Sequence, residues 1–190
     1  ARRDARDDRP HDQPHLTVIV NFAPMNAHFF DFTPATLRTL CEERGLRSFI
    51  SEQLMDWVYR KGEIEPERMT NISRADQALL REQMVFLRSE IAAHQRATDG
   101  TQKLLMNWIG ESKAPSGSSP LAQVALPKQT ECVMIPTETR RTACISSQVG
   151  CPVGCAFCAS GLGGLEGNLS RGQIVEQAWR LNWLPGVDRL

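Results

Sequence analysis

The 190-residue chain carries 22 Lys+Arg against 22 Asp+Glu, 41% hydrophobic residues and six cysteines, a composition that excludes disordered and collagen-like classes. Its longest apolar run, residues 16–20, is far short of the roughly 18–20 residues that a membrane span needs. The mixed-charge start, residues 1–9, leads into no apolar core of the secretory-signal kind. A net charge of zero gives no strong general field, so any nucleic-acid contact needs a local basic patch or a larger assembly.

In chain order, residues 1–32 read as a largely disordered leader, charged and aperiodic at its start and interrupted by Pro10, Pro14 and Pro24. Residues 33–97 read as a helical accessory domain. Thr33 and Pro34 open its first helix, which carries Leu37, Leu40 and Cys41 and stops at Gly45. A second helix places Ile50, Leu54, Trp57 and Val58 on one stripe and stops at Gly62. A third starts at Ser73-x-x-Asp76 and aligns Leu80, Met84, Leu87 and Ile91. After the turn dipeptide Asp99-Gly100 the pattern changes, and residues 98–141 read as a β-rich extension. Strands are expected at residues 103–109, 121–126, 132–135 and 142–146, with a flexible loop over 111–120. The last segment, 142–190, holds a helix opened by Ser170-x-x-Gln173 with Ile174, Val175, Ala178, Trp179 and Leu181.

The cysteines are the most informative residues. Cys41 and Cys132 stand alone in apolar patterns and read as core, whereas Cys144, Cys151, Cys155 and Cys158 are crowded together. Cys151-Pro-Val-Gly-Cys155-Ala-Phe-Cys158 is a C-x3-C-x2-C run between a predicted strand and a predicted helix. Three thiolates so close can bind three irons of a cubane cluster and leave the fourth open to a ligand. Gly150 and Gly154 let the backbone fold around it, and the glycines of 161–167 allow close approach. The alternative is structural zinc, with Cys144 as fourth ligand, although zinc sites favour two C-x2-C pairs.

That cysteine run, with Phe157 before its last thiol, resembles the radical S-adenosylmethionine signature. Cys144-Ile-Ser-Ser-Gln-Val-Gly-Cys151 and Asn168-Leu-Ser-x-Gly-Gln-Ile-Val-Glu-Gln177 are similar to the RlmN/Cfr family of RNA adenine methyltransferases, most of all its RlmN branch. Asp99-Gly-Thr-x-Lys103, Glu131-x-Val-x-Ile-Pro136, Leu54-x-x-Trp57-Val-Tyr59 and Met69-Thr-Asn-Ile72 extend the resemblance over most of residues 35–184. It implies an α/β fold: a small helical domain, a short β extension and the first βα unit of a partial (β/α) radical SAM barrel, with the chain expected to be truncated.

The resemblance also implies a cytoplasmic, membrane-free enzyme that methylates adenine C2 in 23S rRNA and in tRNA, supplied with electrons by a donor such as flavodoxin. Cys151, Cys155 and Cys158 would ligate a [4Fe-4S] cluster whose open iron holds S-adenosylmethionine. Glu131 matches the position that accepts the C2 proton. Cys144 matches the thiol that resolves a protein–RNA crosslink through a transient disulfide; without the resemblance, a strand-core thiol is the competing reading. The methyl-carrying cysteine has no counterpart, since none follows Cys158. Two other classes stay open: a Cfr-like C8 methyltransferase, and a metal-containing RNA-binding module using Arg38, Arg44, Arg47, Arg60 and Lys61.

Overall fold

A computed structural model describes residues 27–110 and 128–185. Its first half is helical, and the helix starts follow from local chemistry. The Thr33 hydroxyl accepts from the Thr36 N–H and the Thr36 hydroxyl from the Thr33 N–H, a reciprocal cap that opens α1 (Pro34–Glu43). α2 (Ile50–Met55) widens into a π-helical turn (Asp56–Lys61), and Ser73 caps α3 (Arg74–Gln83). The π turn ends at Gly62, whose φ of 72° favours glycine, and a Cβ there would strike the Trp183 indole. Leu37, Leu40, Cys41, Ile50, Leu54, Val58, Met69, Ile72 and Leu80 interlock in one core, each large side chain contributing about 1.5–3 kcal/mol by burial.

Two boundaries differ from the sequence reading. Residues 27–32, assigned to the disordered leader, are folded: β1 (Ala27–His28) pairs in parallel with β2 (Met84–Val85) and leads into a 3-10 turn (Phe29–Asp31). Phe29 and Phe30 are buried among Tyr59, Phe86 and Trp179. Two adjacent aromatics show no helical or strand period, so only their partners reveal their role. The third helix stops at Gln83, because Met84 and Val85 are taken by β1, and Ile91 instead lies exposed on a strand. The helical part therefore ends well before residue 97.

A four-stranded antiparallel sheet follows in the order β3 (Ser89–Arg96), β4 (Gln102–Trp108), β5 (Gln129–Pro136), β6 (Arg141–Cys144). The expected strand 121–126 and loop 111–120 lie outside the described residues. Strict alternation sends Leu104, Met106, Trp108, Cys132 and Met134 into a second core beneath Leu181 and Leu184. Edge strand β6 leads into a hairpin, β7 (Gln148–Gly150) and β8 (Leu165–Asn168), and only then into α4 (Arg171–Asn182).

α4 joins the two halves. Trp179 packs in the helical core and donates to the Val58 carbonyl at 2.8 Å, while Leu181 packs in the sheet core. Its start is closed by the Ser170–Gln173 capping box and by Asp31, which accepts from the Gly172 N–H at 2.7 Å and whose carbonyl accepts from Arg171. Glu176 is fully buried yet accepts from the Arg88 and Ser89 N–H groups and the Ser89 hydroxyl, with His28 Nε2 at 3.0 Å. A buried carboxylate so furnished links β1, the α3–β3 connection and α4.

Candidate functional site

The three clustered cysteines occupy the tip of the β7–β8 hairpin. Its strands pair as Gln148↔Asn168, Val149↔Gly167 and Gly150↔Leu165, with an irregularity after Val149. Gly150 has a φ of 76°, and a Cβ on it would fall 2.0 Å from the Gly164 carbonyl oxygen, so this close crossing requires glycine. The Cys151 N–H donates to that same carbonyl and closes the loop; the Cys158 N–H donates to the Cys155 carbonyl, tightening its second half.

Cys151, Cys155 and Cys158 are free and partly exposed. No charged or imidazole side chain lies between residues 151 and 164, so thiols are the loop's only strong metal donors. Val153, Phe157 and Leu162 stand 72%, 93% and 80% exposed around them, more than any other large apolar side chain among the described residues. Among the described residues no three His, Cys, Asp or Glu side chains are gathered closely enough to hold a metal ion. The donor set fits an iron–sulfur cluster in kind: three soft thiols on one glycine-jointed loop, one fewer than a closed four-sulfur zinc site takes.

Glu131 and Cys144 lie on the neighbouring sheet. Both are exposed, on the face opposite the sheet core. Val133 is directly opposite Cys144 and Glu131 is two residues before it, so the carboxylate and thiol are diagonal neighbours, about 7–8 Å apart at the backbone. Lys103 reaches across from β4 and donates to Glu131 Oε1 at 2.9 Å. The strand end is fixed from below, since the Ser146 hydroxyl donates to the Glu131 carbonyl and Gln177 of α4 pairs with both Ser146 backbone groups. Gln129, on the Glu131 face, lines a cleft of about 390 Å³ with Gly150, Ser160, Gly164 and Glu166 of the hairpin. The hairpin therefore meets that face at Gln129, two residues before Glu131 on β5, while Glu131, Cys144 and the three thiols stand outside the lining of this cleft.

The remaining cysteines are removed from this chemistry. Burial pushes the Cys41 thiol up to about 11 and the Cys132 thiol up to about 12, and both are core residues as the sequence suggested. Cys144 is exposed, which excludes the strand-core reading. In the sequence Lys103 shows only as the end of Asp99-Gly-Thr-x-Lys103; its partner depends on β4–β5 register, which a local pattern across a connection of 17 undescribed residues does not give.

Residues 27–86 match the family model described as the ribosomal RNA large subunit methyltransferase N-terminal domain. The chain is 34% identical over 162 residues to a dual-specificity RNA methyltransferase RlmN from Dichelobacter nodosus, covering 85% of this chain and 40% of that protein. These matches support an RlmN-family fragment. The match at residues 27–32 agrees with their folded state, against the leader assigned from sequence. The α/β architecture is also that of the crystal structure of a radical SAM methyltransferase from Sphaerobacter thermophilus, with a TM-score of 0.70 and 28% identity over 84% of this chain and 42% of that one. The chain thus spans about two-fifths of the length of the relatives it matches. No helix among the described residues is long and apolar enough to cross a membrane.

Proposed function

We propose that the whole protein is a cytoplasmic RNA methyltransferase acting on C2 of an adenine in 23S rRNA and in tRNA through a methyl-cysteine intermediate. The observation that carries the reading is a hairpin with three free thiols that meets, at Gln129, the exposed sheet face on which Glu131 and Cys144 are diagonal neighbours. In this reading Cys151, Cys155 and Cys158 hold a [4Fe-4S] cluster. When bound, the cluster and S-adenosylmethionine supply the radical chemistry that an unactivated C–H carbon requires, with electrons from a donor such as flavodoxin. Glu131 accepts the C2 proton. Cys144, free and exposed, attacks as thiolate the sulfur that links protein to RNA. The S–S bond forms as the S–CH2 bond breaks, the electron pair passes to the carbon and a proton completes the methyl group, leaving a transient disulfide.

One observation disfavours the RNA-binding module read from Arg38, Arg44, Arg47, Arg60 and Lys61. Arg38 is paired with Glu52, Arg47 with Asp76, and both Arg60 and Lys61 with Asp56, so those cations already have carboxylate partners. Labelled S-adenosylmethionine, a reductant and 23S rRNA incubated with the whole protein should yield 2-methyladenosine, and Cys155→Ala should abolish it. Label at C8 would assign the Cfr-like alternative. No methylated RNA from an iron-replete, folded preparation would refute the enzyme reading.

A further inference from the structure

We infer that Lys103 is a positioning residue for proton removal, a step that rests on the reading of Glu131 as the proton acceptor. Lys103 Nζ holds Glu131 Oε1 at 2.9 Å, while among the described residues Oε2 has no hydrogen-bond partner. One oxygen is therefore tethered and the other presented to the open face. The backbone of Glu131 is already fixed by Ser146 and, through it, by Gln177. What remains free is the direction of the carboxylate, and the ammonium restricts it.

The register gives the tether a place in the site. Lys103 stands opposite Val133, which stands opposite Cys144, so Lys103, Val133 and Cys144 form one row across three strands, with Glu131 beside it on the same face. Drawing Oε1 toward Lys103 takes the carboxylate toward β4 and leaves the approach to the Cys144 thiol open from the β6 side. In the step concerned the adenine C2–H bond breaks, its electron pair stays in the ring, and the proton bonds to Oε2. Lys103 keeps its own proton and takes no covalent part. The side chains are 38% and 54% exposed, and an ion pair so exposed adds little to stability; Lys103 therefore acts through the carboxylate it aims.

The test uses the whole, cluster-loaded protein with 23S rRNA as substrate. Glu131→Gln should halt turnover and accumulate a covalent protein–RNA adduct on a denaturing gel. Lys103→Met should lower kcat about tenfold to hundredfold, part of the contribution of a positioned base, leave KM for RNA unchanged and accumulate the same adduct. Lys103→Arg, which keeps charge and donor, should restore most of the rate. A Lys103→Met protein that turns over normally beside a stalled Glu131→Gln overturns this inference and leaves the proton-acceptor reading standing. A rise confined to KM, or loss of fold in both Lys103→Met and Lys103→Gln, makes Lys103 an RNA contact or a structural residue and likewise overturns it. If Glu131→Gln itself turns over normally, both readings fall.

Discussion

Cys132 and Cys144 sit on adjacent strands of one sheet and face opposite ways. Cys132 is buried against Met106, and its thiol is pushed up to about 12, so it carries little thiolate at neutral pH. Cys144 is exposed on the face that bears Glu131. Cys144→Ala should therefore change the stability of the chain by no more than about 0.5 kcal/mol, the range of surface substitutions, as read by urea unfolding. In the whole protein the same change should leave iron content intact and trap the protein–RNA adduct, because no thiolate attacks the linking sulfur. A large stability loss with normal product release would return Cys144 to a packing role. At this scale the spacing of Cys151, Cys155 and Cys158 was readable directly. The face taken by Glu131 was not, since Cys132-Val-Met-Ile135 is a continuous apolar run that fits either orientation.

Helix starts were readable because capping is local: Thr33, Ser73 and Ser170 each accept from the N–H three residues on. The end of α3 was not, because Met84, Leu87 and Ile91 continue a helical period by coincidence while the chain turns into β2 and β3. The buried Glu176 on α4 was equally hidden, since on a helical stripe it reads as solvated. Burial alone would raise its carboxyl; the His28 imidazole 3.0 Å away and hydrogen bonds from Ser89 and the Arg88 N–H outweigh that and hold it below the ordinary value of 4.5. A carboxyl depressed in the folded state stabilises fully above its unfolded pKa, and that stabilisation is lost as pH falls through the folded one. The melting temperature should accordingly drop as pH decreases below about 4.5. Glu176→Gln should cost about 1–3 kcal/mol at pH 7, by turning an amide donor toward donors, and should flatten that acid slope. An unchanged slope in the variant would show that other carboxylates govern it.

On the scale of the molecule, one helix serves two cores. Trp179 completes the helical half, Leu181 completes the sheet half, and Gln177 fixes the strand end beneath Glu131. The order of helical domain, β extension and cysteine segment was readable because period and turn residues change along the chain. How α4 and residues 27–32 join them was not, because those contacts span more than a hundred residues of sequence, as between Asp31 and Gly172 or Val58 and Trp179. This framework leaves three free thiols on a hairpin beside Val153, Phe157 and Leu162, the three most exposed large apolar side chains among the described residues. Whether those thiols ligate a cluster is decided by anaerobic reconstitution of the chain with iron and sulfide, followed by iron quantitation and Mössbauer spectroscopy. Cluster ligation gives about four irons per chain in a cubane cluster, lost on replacing Cys151, Cys155 or Cys158 and kept in Cys144→Ala; tetrahedral zinc bound by four sulfurs, with no iron uptake by folded protein, would contradict it.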